Sequence, residues 1–406
     1  MTETNPLIAM TAYLLAIATA ALLLRTVPRF TRQLEHCGES RFAGIDGLRG
    51  YLAFGVFVHH SIITWIFLQT GVIDFPPSNF YSQLGQGSVA LFFMITGFLF
   101  WDRLLTHGWQ HDWLAFAVSR LFRLYPLYLP LMLAVFISVL YLQGWELKDS
   151  VTQLIGQTLA WLTFDRPDVN QYHQTGMLIS NVTWTLGYEV FFYLALPLAA
   201  MLFIYRGGWM QTVLCLIGIY ALYKLVGLEH SLKKHYLASF LGGIAAAYWI
   251  RRPQWVAWSL SPLAGIIALL ALAIAFTVFN RAFNLGALLL LSLFFVIVSS
   301  GNTLFGALSP RSIRWLGEIS YSTYLLHGFV LWIMLQRLPP VLHLDARQAW
   351  VFLPLLAVCS CLLIIISSLT YQHIEKPGID AGKKTLYWLR QNRTLRKEPE
   401  KTAQQR

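Results

Sequence analysis

The chain is 406 residues long, 56% hydrophobic and 12% charged, with a mean hydropathy of +0.55 and a formal net charge of +11. Soluble domains carry about 25% charged residues, so a water-soluble globular fold is excluded. Apolar runs of about 20 residues, the length that crosses roughly 30 Å of hydrocarbon, recur from end to end, and the predicted fold is all-α: a polytopic transmembrane helix bundle of about eleven spans.

In chain order the predicted spans are 6–25, 48–69, 88–106, 124–143, 184–205, 210–228, 235–250, 255–279, 284–300, 313–336 and 349–371. The first has no basic stretch before it and no convincing small-residue cleavage site, so it reads as a span rather than a removable leader. With the N-terminus outside and the C-terminus in the cytoplasm, 22 of the 30 lysines and arginines fall on inward segments and eight on outward ones, as the positive-inside rule requires. The inward set includes Arg25, Arg29, Arg32, Arg41, Arg49, Arg103, Arg120, Arg123 and Arg206, while Lys233 is among the outward residues. The net charge is therefore topological, and no nucleic-acid partner is expected. Residues 144–183 form the longest outward segment, with a short amphipathic helix expected near "LIGQTLAWL". Residues 376–406 form a basic tail expected to be disordered on the anionic inner leaflet. Cys37, Cys215, Cys359 and Cys361 have neither disulfide-framework nor metal-ligand spacing, so no metal site is expected.

Polar residues inside the spans carry the functional signal. In "RGYLAFGVFVHH", Arg49 and His60 are eleven positions apart. That is three helical turns and about 20° more, so they share a face about 16 Å apart along the axis, with His59 about 100° away. An ionisable residue near the midplane needs a cavity or a partner. A snorkelling arginine and a histidine hydrogen-bonded between helices meet that need as well as a reactive site does. In "RLFRLYP", Arg120 and Arg123 are either positive-inside anchors or, with Arg49, a clamp for a polyphosphate, whose oxygens match the guanidinium fork. "NVTWTLGYEVFFYL" sets Glu189 about two turns into its span, where a carboxylate requires a partner, a proton or water. A histidine or arginine of another helix is its natural partner. "GSVALFFMITGFLFW" alone reads as helix packing through small residues. In "LGEISYSTYLLHGFVL", Ser320, Tyr324 and His327 fall at i, i+4 and i+7, a polar stripe that is either a hydrogen-bonded seam or part of a site. Trp145, Trp161, Tyr172 and Trp184 suit either sugar stacking or an interfacial aromatic belt.

Six stretches, "GIDGLRGYLAFGVFVHH", "GSVALFFMITGFLFW", "SRLFRLYP", "TWTLGYEVFFYL", "LGEISYSTYLLH" and "YQHIEKP", together resemble the type 3 membrane acyltransferase family. These are bacterial integral-membrane O-acyltransferases that modify polysaccharides, lipopolysaccharide, peptidoglycan and some small molecules. The resemblance runs from about residue 43 to 378, in the family's order. It implies an N-terminal helix and linker (1–42), a ten-span acyltransferase domain (43–378) and a basic tail (379–406). It implies a bacterial inner-membrane location, and no C-terminal esterase domain of the SGNH type, for which the chain ends too soon. The family's arginine–ten–histidine signature falls on Arg49 and His60, its arginine pair on Arg120 and Arg123, and its carboxylate on Glu189. His327 matches a histidine common in the late helix.

The activity so implied moves an acyl group, above all acetyl, from cytosolic acyl-coenzyme A to a hydroxyl of an envelope polysaccharide or lipid-linked glycan, with no permanently bound cofactor. Arg49, Arg120 and Arg123 would hold the donor phosphates. His60 would take the proton of the acceptor hydroxyl as general base or be acylated itself. Glu189 would orient His60 in the manner of a triad, provided the two meet near the midplane. His59, Ser320, Tyr324 and His327 are the further candidates. The rival is a transporter or flippase of a lipid-linked glycan, because buried Arg, His and Glu also fit proton-coupled transport. The absence of an inverted repeat and the Arg49–His60 spacing weigh against it.

Overall fold

A computed structural model describes residues 5–36, 42–108, 111–205, 208–225 and 234–403. Cys37, Arg41, Arg206 and Lys233, which belong to the cysteine and charge patterns above, lie outside the described residues. The helices are α1 (Pro6–Thr26), α2 (Pro28–His36), α3 (Ala43–Thr70), α4 (Asn79–His107), α5 (Trp113–Leu142), α6 (Val151–Leu162), α7 (Trp184–Phe203), α8 (Trp209–Leu225), α9 (Lys234–Trp249), α10 (Pro253–Ser259), α11 (Pro262–Val278), α12 (Leu285–Ser299), α13 (Arg311–Glu318), α14 (Ser320–Leu331), α15 (Leu338–Val341), α16 (Ala349–Thr370) and α17 (Lys376–Ala403). Among the described residues there is no strand, and the architecture is a polytopic transmembrane helix bundle. Six helical runs are long and apolar enough to cross a membrane, or seven if α10 and α11, bent by 72°, form one span.

Two helices start well before the apolar stretches that announce them. α4 opens with polar residues, but these face the bundle: Gln83 is fully buried and its Nε2 donates to Phe279 O at 2.8 Å. α5 begins where Asp112 caps it, its carboxylate accepting from Ala115 N at 2.8 Å, a bond that satisfies one of the orphan donors of a first turn. The expected helix in the outward segment is α6, whose Ser150 and Gln153 form a capping box. The tail departs from expectation, because residues 376–403 are helical, not unstructured. Gly378 and Gly382 let α17 lie directly on α5, facing Pro126 and Phe122, and Arg390 pairs with Asp112.

α3 runs through the middle of the bundle and is buried along most of its length. Its early glycines explain how. A Cβ on Gly47 would stand 2.1 Å from Leu308 O, and one on Gly317 of α13 would stand 1.8 Å from Asp46 O. The two segments therefore touch backbone to backbone, which fixes Arg49 beside α13. On the other flank, Ala9, Ala12, Ala16 and Ala20 give α1 a buried small-residue face, suited to close contact where lipid offers no hydrophobic driving force. Gly317→Ala should lower the melting temperature of the detergent-solubilised protein, overpacking costing about 1–3 kcal/mol. Gly156→Ala on exposed α6, where a Cβ meets nothing within 4 Å, should not; equal melting of the two variants would contradict this packing.

Candidate active site

Two cavities of the bundle, one toward each end, hold the ionisable residues singled out in the sequence. The first, about 430 Å³, is lined by Arg49 of α3, Arg103 of α4, Arg120 and Arg123 of α5, Glu189 of α7, Glu318 of α13 and Lys383 of α17. Five cations thus face two carboxylates across a small space, a potential that favours an anion. The cations are held in place. Arg123 is ion-paired with the fully buried Glu375, whose Oε2 also accepts from Ser322 Oγ at 2.8 Å, and its guanidinium lies 5.5 Å from the Tyr321 ring centroid. Arg120 lies 5.0 Å from the centroid of Phe100, in cation–π range. The Tyr371 hydroxyl donates to Glu318. Residues 371–375 form a π-helical stretch that carries both Tyr371 and Glu375, which bear on the lining residues Glu318 and Arg123. α17 closes one wall with Ile379, Gly382, Lys383 and Leu386, at i, i+3, i+4 and i+7 of one helix face.

The second cavity, about 1130 Å³, is lined by His59 and His60, by the aromatic rings of Tyr172, Trp184, Tyr236 and Trp332, and by Gln86, Arg281 and Asn284 among its polar groups. His59 Nδ1 is 2.8 Å from Tyr81 O, and His327 Nδ1 is 2.7 Å from Tyr324 O. A carbonyl only accepts, so both Nδ1 atoms carry a proton, and in the neutral form of each ring Nε2 is the bare acceptor. His327 is fully buried, and its Nε2 has no hydrogen-bond partner among the described residues. Its ring lies 5.2 Å from that of His60, centroid to centroid. His60 is the half-buried member of the three, its ring open to the cavity.

Arg49 and His60 thus reach two different cavities from one helix. Arg120, Arg123, Glu189 and Ser320 join Arg49, and His59 joins His60. Tyr324 lines both cavities, and His327 lies against His60 from behind. The pairing of Glu189 with His60 is not formed. Glu189 lies in the arginine cavity, where its Oε2 accepts from Tyr193 at 2.9 Å. The helix carrying it begins at the histidine end, but at position 189 it has already passed the level of Tyr324, which explains the separation. Of the aromatic residues, Tyr172 and Trp184 line the histidine cavity; Trp161, on α6, is buried and Trp145 is exposed.

Residues 42–371 match the family model described as an acyltransferase domain. The chain belongs to that family. Among curated relatives, provisionally named O-acetyltransferases of Staphylococcus aureus strains COL, MSSA476 and MRSA252 are each 24% identical over 381 residues, covering 85% of this chain. The chain spans only 58% of the length of those relatives. No solved structure matches it.

Four lining or supporting residues of this acyltransferase-family chain have little sequence signal as site residues. Arg103 looks like one more basic residue of the positive-inside pattern. Glu318 and Glu375 sit inside "LGEISYSTYLLH" and "YQHIEKP", but nothing local ties them to Tyr371 and Arg123. Lys383 falls beyond the matched region, in the segment that looks like a solvated tail.

Proposed function

We propose that the chain is a membrane O-acyltransferase that takes an acyl group, above all acetyl, from acyl-coenzyme A in the arginine cavity and delivers it to a glycan hydroxyl in the histidine cavity. The observation that carries this reading is the back-to-back arrangement: a five-cation cavity suited to polyphosphate abuts a larger cavity lined by His60 and aromatic rings. Membership of an acyltransferase family supports it. In the proposed orientation the protein lies in a bacterial inner membrane with its N-terminus outside, so that the arginine cavity opens to the cytosol, where acyl-coenzyme A is made. The acceptor is an envelope polysaccharide or a lipid-linked glycan. Tyr172, Trp184, Tyr236 and Trp332 offer faces for sugar rings, and Gln86, Arg281 and Asn284 offer edges for their hydroxyls.

Arg49, Arg103, Arg120 and Lys383 hold the donor phosphates, with Arg123 kept in position by Glu375. The pantetheine arm carries the thioester toward Tyr324. His60 takes the proton of the acceptor hydroxyl as its oxygen attacks the thioester carbonyl. The C–S bond breaks, and His60 returns that proton to the departing thiolate, so that free coenzyme A withdraws into the arginine cavity and His60 is again neutral. His59 and His327 serve as shaped, hydrogen-bonded neighbours that keep the His60 ring facing the cavity. Glu189 acts on the donor side, setting the charge balance among the arginines.

Arg49→Ala and Arg120→Ala test the donor site. A hydrogen bond to a charged group is worth about 1.5–3 kcal/mol, so each variant should raise KM for acetyl-coenzyme A by about one to two orders of magnitude, with a smaller change in kcat. An unchanged KM in both variants would remove coenzyme A from this cavity.

A further inference from the structure

We propose that the ring of Tyr324 is the partition between the two cavities, and that it directs the acyl group to the acceptor hydroxyl rather than to water. The inference rests on the acyltransferase reading above and concerns how one fold keeps two nucleophiles apart.

Tyr324 and Val89 are the two side chains that line both cavities. Val89 comes from the middle of α4 and Tyr324 from the middle of α14. Between them stands the only barrier that these linings share, and Tyr324 is by far the larger part of it. Its ring is fixed at both ends. The hydroxyl donates to Val182 O at 2.9 Å and lies 2.8 Å from Thr185 Oγ1, so that its far end is tied to the start of α7. At the near end its backbone carbonyl accepts from His327 Nδ1 at 2.7 Å. Phe92 braces it edge-on at a centroid distance of 6.1 Å. The result is a cross-beam from α14 to α7 with 8% of its surface exposed, and it lines the arginine cavity and the His60 cavity alike.

The chemistry needs such a beam. A glycan-sized cavity of about 1130 Å³ has room for many waters whenever it is not filled. His60 is a base for water as readily as for a sugar hydroxyl, so it cannot itself choose between them. With water as nucleophile, the oxygen attacks the thioester carbonyl and the C–S bond breaks. One proton passes through His60 to the thiolate, and the products are a carboxylic acid and free coenzyme A. The donor would then be consumed with no glycan modified. A fixed ring at the only shared wall confines the thioester to a narrow approach and leaves it reachable from the acceptor side only where the acceptor seats. The hydroxyl of Tyr324 is engaged in holding the ring and is not assigned a proton-transfer step.

The test compares two yields in the same membrane vesicles supplied with acetyl-coenzyme A and endogenous glycan precursors: thiol released, and labelled acetyl found on glycan. For wild type the two should agree. Tyr324→Ala should release thiol at several times the rate of glycan acylation, and Tyr324→Phe, which keeps the ring's bulk in the wall but not its tie to Val182, should be much closer to wild type. Coupled turnover in Tyr324→Ala overturns the inference, and so does a Tyr324→Phe variant as uncoupled as the alanine variant. Where Tyr324→Ala does not assemble, Val89→Ala opens the same wall from α4 and must shift the ratio in the same direction; a coupled Val89→Ala is then the contrary result. Wild-type vesicles that release no thiol overturn the acyltransferase reading itself, and this inference with it, whereas coupled variants overturn the inference alone.

Discussion

His60→Ala should lower glycan acylation by about two to four orders of magnitude, the contribution of a positioned general base, while acetyl-coenzyme A still binds with its wild-type KM. The split follows from geometry. His60 stands in one cavity and the cations in the other, so truncating the imidazole removes the base without touching the donor's phosphates. His59→Ala should behave differently. Its ring is 5% exposed and lies so close to Gly85 that a Cβ there would be 2.3 Å from it. Removing it opens a void between α3 and α4 and takes from Tyr81 O its side-chain donor, so stability should fall along with activity. A His60→Ala protein with full acylation would make His59 or His327 the reactive ring. Rapid quenching separates the two mechanisms open to His60, since an acylated histidine retains label on the protein and a general base retains none.

Glu375→Ala should be among the most destabilising single changes at the arginine end. Glu375 is fully buried while the Arg123 side chain keeps 18% exposure to the cavity; removing one partner of a fully buried pair typically costs about 3–5 kcal/mol, because the other charge is left uncompensated, and this pair should fall toward the lower end. The carboxylate also accepts from Ser322, so a second hydroxyl loses its partner. Glu375→Gln keeps one acceptor oxygen but turns the other into a donor and loses the charge that balances Arg123, so it should fall between alanine and wild type. Arg347→Ala is the contrast: its pair with Asp345 lies at the surface, with 65% and 41% of the two side chains exposed, where solvent screening leaves little to lose. Thermal melting in detergent should therefore drop sharply for Glu375→Ala and stay at the wild-type value for Arg347→Ala. Equal melting would mean that the Arg123–Glu375 pair contributes nothing to the bundle.

The long apolar helices were legible in the sequence because each is an apolar run, and the three-turn spacing of Arg49 and His60 follows from their place on one unbroken helix, α3. What the sequence hid is pairing between distant segments. Arg123 meets Glu375 across 252 positions of chain, and no periodicity carries that information. Glu189 does meet arginines of other helices in one cavity, as its sequence reading allowed, but its hydrogen bond lies elsewhere. The search for a partner on another helix passes over Tyr193, four residues along the same one. The basic tail reads as disordered by composition alone; Gly378 and Gly382, small residues spaced four apart, were the sign that it packs as a helix against α5. The division into two cavities needed the fold, since it depends on where Tyr324 and Val89 meet.

The most direct measurement follows radiolabelled acetyl from acetyl-coenzyme A, added to inverted inner-membrane vesicles that contain glycan precursors, for wild type, Arg49→Ala and His60→Ala. The account predicts that label reaches glycan with stoichiometric thiol release in wild type. Arg49→Ala should recover much of this activity at raised donor concentration, and His60→Ala should not recover at any. A transporter would release no thiol. Robust wild-type transfer that survives unchanged in His60→Ala would contradict the account.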